Sequence, residues 1–381
     1  MESLVAQVKS LASSADETGR RTLQTVLRDL AYSLEGYDDT VHRIGYYHLQ
    51  TSAVRVGIDL GIFEMLSESH KPLRMVDLAE STGADPLLLG RLLRYISSVG
   101  MVTETQQDVY KANNVTTNLA VKGNQAGINH CFETIGPQYQ EMPTFLRKIN
   151  YQNVSDPHHS VFQDAWKTNL GAFDWFQYHP ENLEYFNQYM ASRREGAETW
   201  LSVYPIEEET RLWDPEAAVF INMGGGIGHQ CAEFKARYPK VAGRVILQDL
   251  PHSIDRALQT PGVENMTHNF FEPQPIKGAK FYFLRGVLHN HPDDKVRLIL
   301  RNIMSAMSKN SVILIDEMVL PDTNVNWHVT SIDLSMMCAF GARERTEAQW
   351  LEILESVGLQ ISKKLVYKPA VYETVMAVIP A

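Results

Sequence analysis

Cysteine is scarce in this chain: Cys131, Cys231 and Cys338 are the three among 381 residues. Their wide spacing and odd number exclude a disulfide framework, and nothing in their neighbourhood has the spacing of a zinc site. Long apolar runs are missing as well, none approaching the roughly 18 residues that a membrane span needs. The opening MESLVAQVKSLASSADETGR has neither the basic flank nor the apolar block of a secretory leader, so the cytosol is the expected location and no membrane partner is expected. Positive charge is in deficit, with 35 Lys and Arg against 45 Asp and Glu and a formal net charge of -10. Phosphate binding rests on clustered Lys and Arg, so a nucleic-acid or anionic-membrane partner is disfavoured and a small molecule is expected instead. Internal repeats and low-complexity segments are also absent.

What is present is apolar patterning of two kinds. With 44% hydrophobic and 21% charged residues, the chain is long enough for more than one core-bearing domain. From Leu4 to Leu34, and again from Asp39 through Leu66, apolar residues recur at helical spacing. The stretch PLRMVDLAESTGADPLLLGRLLRYISSVGMVTETQQDVYKAN then reads as a helix, a glycine turn, a second helix and a short hairpin, with Asp85 capping the second helix and Pro86 in its first turn. This is a winged-helix pattern. Such a module can read DNA through its second helix, but leucines dominate that helix here and the chain is acidic. Residues 123–206 are helical and rich in aromatics. After Pro215, AVFINM, RVILQDL, KFYFLRGVL and SVILIDEMVL alternate with amphipathic helices such as SIDRALQ and KVRLILRNIMSAM, before a strand-rich tail. That alternation predicts an α/β fold with a parallel sheet. The expected division is 1–122, 123–206 and 207–381, with a linker over Glu207 to Glu216.

The first strand of the α/β region runs into Gly224, Gly225, Gly226 and Gly228. Glycines there let the backbone turn tightly and let a ligand approach the positive end of the following helix. Plain tight turning remains an alternative. Asp249 ends the second strand about 25 residues on, where a carboxylate can accept hydrogen bonds from both ribose hydroxyls. These two features leave dinucleotide binding open, although GGGIG departs from the spacing that receives a pyrophosphate.

VFINMGGGIGHQ, RVILQDLPHSI, FYFLRGVLHNHPDDK, ILIDEMVLPD and GARERTEAQW, in that order and spacing, resemble the class I S-adenosylmethionine-dependent small-molecule O-methyltransferases, most closely their fungal secondary-metabolite branch. The winged-helix segment and FNQYMASRREG are similar to that family's dimerisation and substrate-binding regions, so the resemblance spans nearly the whole chain. It implies a Rossmann-like S-adenosylmethionine-binding domain, preceded by an α-helical winged-helix dimerisation domain, in a homodimer. By motif, Gly224, Gly225 and Gly226 would hold the methionine part of S-adenosyl-L-methionine. Asp249 would hold the ribose, with the adjoining Leu250 also in the cofactor site, Asn269 and Phe270 would hold the adenine, and Arg285 would lie in its surroundings. The resemblance implies His289 as general base, oriented by Glu317 and Glu344, and implies no metal. Phe173, Trp175, Asn187 and Met190, with Asp333, Met336 and Met337, match regions that line the acceptor pocket in relatives; ordinary helix core is the alternative for them.

The chemistry fits those residue types. Methylating a hydroxyl requires a proton acceptor, and the histidine pKa lies close to neutral pH. A carboxylate beside the imidazole fixes its tautomer and stabilises the imidazolium as it forms. Three alternatives remain open: His291 shares the turn, Asp316 would replace Glu317 if the strand register shifts by one, and Glu344 would pair with Arg343 or Arg345. Asn222, Asn269 and Asn290 stand where the family is usually acidic, which keeps shape and removes charge. The expected activity is therefore O-methylation of a hydroxyl on a polyketide- or alkaloid-type metabolite. The alternative is a pericyclase of the same family that binds the cofactor without transferring its methyl. Such an enzyme would fold a polyene metabolite for dehydration, cycloaddition or rearrangement, with His130 and Arg285 as hydrogen-bond donors. Retention of His289 favours the first reading, and the three asparagines favour the second.

Overall fold

A computed structural model describes residues 2–192 and 198–381. The chain forms two compact units, one of residues 1–140 and 173–197, the other of residues 141–172 and 198–381. Residues 193–196 of FNQYMASRREG therefore lie outside the described residues.

The first unit opens with α1 (Glu2–Ser14), α2 (Glu17–Ser33) and α3 (Tyr37–Gly45), none of which buries a residue. Its core begins with α4 (Tyr47–Asp59) and α5 (Ile62–Glu68) and continues through β1 (Leu73–Arg74), α6 (Met75–Thr82) and α7 (Pro86–Ser98) to β2 (Thr103–Gln106) and β3 (Val109–Lys111). Asp85 caps α7 by accepting the Leu88 N–H at 3.0 Å, Pro86 occupies its first turn, and Gly83 ends α6 at φ 70°. The three strands pair in the order β1-β3-β2, completing the helix–helix–hairpin arrangement of a winged helix. Phe63, Leu89, Leu93, Ile96 and Tyr110 are among the residues that fill its core. Beyond it lie α8 (Asn114–Leu119), α9 (Lys122–Asn129), a π-helical turn (His130–Ile135) and α10 (Gly136–Lys148). The chain then contributes α11 (Val161–Trp166) to the second unit before α12 (Ala172–Trp175) leads back to α13 (Pro180–Ser192) of the first.

In the second unit the expected linker starts inside a helix, α14 (Ile206–Thr210), because Ile206 and Thr210 are buried while the acids between them stay in water or pair. The alternation that follows is β4 (Ala218–Met223), α15 (His229–Arg237), β5 (Arg244–Asp249), α16 (Pro251–Ile254), β6 (Val263–Thr267), β7 (Phe281–Arg285), α17 (Asp293–Met304) and β8 (Val312–Leu320). It closes with α18 (Trp327–Phe340), β9 (Arg345–Thr346), α19 (Glu347–Glu355), β10 (Leu359–Lys368) and β11 (Glu373–Pro380). The sheet order is β10-β11-β8-β7-β4-β5-β6, with β9 beside β8; β8 through β6 run parallel, and the β10 and β11 hairpin is antiparallel.

Both faces of this sheet are covered, so its strands read as continuous apolar runs. Ile221, Ile246, Tyr282, Leu284, Ile313 and Ile315 face one core, while Val219, Leu247, Phe281, Phe283, Val312 and Leu314 face the other. That two-residue alternation decides which face each polar strand residue serves. SIDRALQ, expected as a helix, is helical only to Ile254, because the chain leaves the helix for the Leu258 N–H to reach the Ile227 carbonyl at 2.9 Å. Among the described residues no helix is long and apolar enough to cross a membrane.

Candidate active site

Strands β5 and β6 extend the sheet to one side of β4, and β7 and β8 extend it to the other. The carboxyl ends of β4 and β7 therefore flank a topological switch point, the usual ligand crevice of an open α/β sheet. Gly224, Gly226 and Gly228 adopt φ of 63°, 60° and 97°, which a side chain would strain. A Cβ at Gly226 would meet nothing within 4 Å, so the backbone is open to a ligand there. At Gly225 a Cβ would fall 2.3 Å from the Asn222 side chain, so the turn lies against that buried amide. Asp249 braces the same turn: one carboxylate oxygen accepts the Gly226 N–H and the other the Leu250 N–H, each at 2.7 Å. Each carboxylate oxygen keeps a further lone-pair direction for a ligand hydroxyl. Leu250 is 37% exposed.

Asn269 sits two residues past β6 rather than in the strand, and its side-chain oxygen accepts the Phe271 N–H at 3.1 Å in an Asx turn. The turn presents the Phe270 ring to the glycine loop, 3.2 Å from where a Gly224 Cβ would lie. Glycine loop, Asp249 and Phe270 thus converge, and this cradle of open backbone, paired acceptor and aromatic ring fits an adenosine-type cofactor.

A second cluster lies past β7. The 3-10 turn Leu288–Asn290 is held from beneath by Glu317, whose Oε1 accepts the N–H groups of Val287, Leu288 and His289 at 3.1, 2.8 and 3.3 Å. His289 Nδ1 lies 2.6 Å from Glu344 Oε1 and 3.9 Å from Glu317 Oε2. Burial pushes the Glu317 carboxyl above its usual range, against the pull of His289 and the backbone donors. Glu344 is itself anchored, its N–H donating to Asp333 Oδ1 at 2.8 Å. Asp333 is shifted upward by burial as well. Among the described residues, His289, Glu317 and Glu344 bring possible metal-ligand atoms within 4.8 Å of one another. The backbone amides already use Glu317 Oε1, and the imidazole uses Glu344 Oε1, an arrangement suited to orienting a proton carrier.

The strand register separates the two neighbouring acids of β8. Glu317 follows Ile313 and Ile315 onto the face of His289, while Asp316 follows Val312 and Leu314 onto the other. There Asp316 Oδ2 lies 3.2 Å from Arg285 Nε, and Asp316 Oδ1 accepts the Tyr367 hydroxyl at 2.7 Å. One guanidinium nitrogen of Arg285, Nη1, is buried without a hydrogen-bond partner. Arg343 and Arg345 both pair with Asp293 rather than Glu344, at 2.5 and 2.8 Å. His291 packs edge-on against Phe270 and Phe271, and burial, with its cationic neighbours, pushes its pKa down to about 4.

Three side chains in this region, Arg345, Asp293 and Tyr367, have only a weak signal in the sequence. Arg345 is fully buried and donates to the carbonyls of Leu288 and His291 at 3.1 and 2.7 Å, clamping both sides of the His289 turn. Asp293 neutralises it; PDD after the histidine and the ARER run are the only hints of this clamp. Tyr367 reaches Asp316 from the face it shares with Leu365, a face that β10 takes up after the bulge between Ile361 and Lys363. The asparagines are used in distinct ways. Asn290 donates to the Gly286 carbonyl at 3.0 Å, which an ionised aspartate cannot do, and Asn222 is buried with its amide nitrogen unpaired.

The remaining candidates divide between the units. Met336 and Met337 lie half-buried on α18, whose Asp333 supports Glu344. In the first unit, His130 opens the π-helical turn, buried beside Phe186, Phe176 and Tyr189 with ring centroids 5.4 to 6.4 Å away. Its Nδ1 has no hydrogen-bond partner, and burial pushes its pKa down to about 4. Trp175 is buried and stacks on His179, Phe173 is 40% exposed, and Asn187 and Met190 lie on α13, exposed and half-buried.

Comparison with known proteins matches residues 153–360 to the O-methyltransferase domain and residues 44–122 to the O-methyltransferase dimerisation domain. The chain is similar to the O-methyltransferase ucdC of Aspergillus ustus, with 43% identity over 361 residues covering 95% of this chain and 94% of that one. It is also similar to a solved structure of LepI in complex with S-adenosylmethionine, with 38% identity, TM-score 0.93, and coverage of 100% of this chain and 98% of that chain. A structure described as a pericyclic reaction enzyme matches with 38% identity and TM-score 0.92, covering 100% of this chain and 99% of that one.

Proposed function

The chain belongs to the O-methyltransferase family, and on that footing we propose that it is a cytosolic homodimer that methylates a hydroxyl of a small polyketide- or alkaloid-type metabolite. The observation that carries the reading is the contact of His289 Nδ1 with Glu344 Oε1 at 2.6 Å, on a turn that Glu317 holds through three backbone amides. S-adenosylmethionine, when bound, supplies a methyl group made electrophilic by its sulfonium. Gly224, Gly225 and Gly226 would hold its methionine part, Asp249 and Leu250 its ribose and Phe270 its adenine. Asn269 would act through the turn it closes, and Arg285 would border the site. Among this chain's residues, His289 removes the hydroxyl proton at Nε2 while Glu344 accepts a hydrogen bond from Nδ1–H and stabilises the imidazolium. Glu317 sets the backbone from which the imidazole projects. Met336 and Met337 offer adaptable apolar contacts to the acceptor, and Asp333 positions Glu344. His289→Ala should lower methyl transfer by at least ~100-fold with cofactor affinity in titration calorimetry unchanged. Full turnover in that variant would overturn the base assignment.

A second reading is favoured by one observation: His130 is buried, neutral by its lowered pKa, unpaired at Nδ1 and ringed by aromatic side chains. Such a group can polarise a carbonyl during a pericyclic rearrangement, with Phe173, Trp175, Asn187 and Met190 of the same compact unit to shape its surroundings. Incubation with labelled cofactor and candidate metabolites separates the readings. Gain of one labelled methyl supports transfer, and isomerisation at constant mass supports the pericyclase.

A further inference from the structure

We infer that Gln248 and Gln274 are positioning residues for the cofactor, a buried amide pair that holds the two walls of its cradle in one register. This role rests on the placement of S-adenosylmethionine proposed above, with its methionine part at the glycine turn and its adenine at Phe270. Gln248 lies on β5 immediately before Asp249, and its carbonyl accepts the N–H groups of Gly224 and Gly225 at 2.8 and 3.3 Å. Its side chain meets that of Gln274: each Nε2 donates to the other's Oε1, at 3.0 and 2.8 Å. Gln274 belongs to residues 268–280, which join β6 to β7 without helix or strand and carry Phe270. Gln248 thus takes the glycine turn by its backbone and the Phe270 segment by its side chain.

A segment without a backbone ladder depends on side chains for its course. Pro273 and Pro275 flank Gln274, fixing φ on both sides and disfavouring a helical conformation at Gln274, so its amide projects from a stiff stretch of chain. The two side chains are buried, with Gln248 1% and Gln274 0% exposed. Met266 Sδ lies 3.3 Å from Gln248 Nε2 and Met223 Sδ 3.4 Å from Gln274 Nε2, and Gln274 Oε1 also accepts the Ile276 N–H at 3.0 Å. A thioether is a weak acceptor, so each amide nitrogen has the other's oxygen as its one strong partner among the described residues. Either amide left alone in these surroundings carries its desolvation cost, which makes the pair directional where apolar packing tolerates sliding. A ligand that spans both walls binds more tightly when their register is fixed beforehand, because less order has to be imposed on binding.

Calorimetric titration with S-adenosylhomocysteine, beside melting temperatures taken without it, tests this on the full-length protein. Gln248→Met and Gln274→Met, each leaving one buried amide unpaired, should lower the melting temperature, and Gln248→Met/Gln274→Met should recover most of that loss, since both amides are replaced by apolar groups of similar shape. Affinity should not recover with it: the double variant should bind on the order of 10-fold more weakly than the parent. Hydrogen exchange supplies a readout free of mutation, in which the Ile276 amide of the unmodified protein gains protection when S-adenosylhomocysteine is added. A double variant that regains both stability and affinity makes the pair a packing feature and overturns the role, as does Ile276 exchange indifferent to the ligand. Phe270→Ala separates the two levels. If it binds as weakly as expected of a lost adenine contact while the double variant binds like the parent, the cofactor placement stands and the positioning role falls; if Phe270→Ala binds like the parent, the placement falls and the role with it.

Discussion

At the scale of single residues, the decisive contrast is between Asp316 and Glu317, adjacent in sequence and opposite in surroundings. Glu317 meets three amides and the imidazole, whereas Asp316 meets a guanidinium and a phenol. Burial pushes the Asp316 carboxyl up to about 7, against the pull of Arg285 and Tyr367. A carboxyl raised in the folded state favours folding while it is protonated, and that contribution is fully present below the unfolded value of about 3.9. It is lost as pH rises through the folded value. Asp316→Asn has no proton to lose over that window, so its melting temperature relative to the parent should move in its favour between about pH 5 and pH 8. Thermal scans across that range check this, and a difference that stays flat with pH refutes it. The sequence could not separate these two acids, because DEMVLP fits either register until the strand's facing residues are known.

Among elements, β10 shows how an irregularity builds a site. Leu359 and Ile361 face one core and Leu365 and Tyr367 the other, because the bulge between Ile361 and Lys363 switches the face, and the Tyr367 hydroxyl thereby meets Asp316. Tyr367→Phe leaves a buried carboxylate oxygen without its donor, a loss of about 1–3 kcal/mol. Because Asp316 also steadies Arg285, which we place beside the cofactor, the variant should weaken cofactor binding while sparing kcat. Calorimetric titration together with kinetics distinguishes this from general destabilisation, which would lower both. The His289 turn follows the same logic from the opposite direction. Glu317 holds its amides and Arg345 its carbonyls, so a three-residue helix with little stability of its own is fixed by groups 28 and 57 residues away. HNH and ARERTE were readable as a pairing only through family resemblance, and their contact is a product of the parallel sheet.

For the molecule as a whole, partner binding and stability are linked. In the homodimer proposed above, mass action makes the melting temperature rise with protein concentration. A dilution series in scanning calorimetry, with an unchanging midpoint as the contrary result, measures it. The strands of the larger unit, the capped helix of the winged helix and the glycine turn were all determined by the sequence itself, because each depends on local physics. AVFINM is apolar but for Asn222, as suits a strand buried on both faces, Asp85 and Pro86 suit a helix start, and the glycines permit a positive φ. The tertiary structure alone decided which acid faces His289, that both arginines of ARER serve Asp293, that SIDRALQ stops after one turn, and that three amphipathic helices remain uncovered. Those outcomes rest on contacts between residues distant in the chain, where a side chain's partner is chosen by sheet order and packing rather than by its neighbours in sequence.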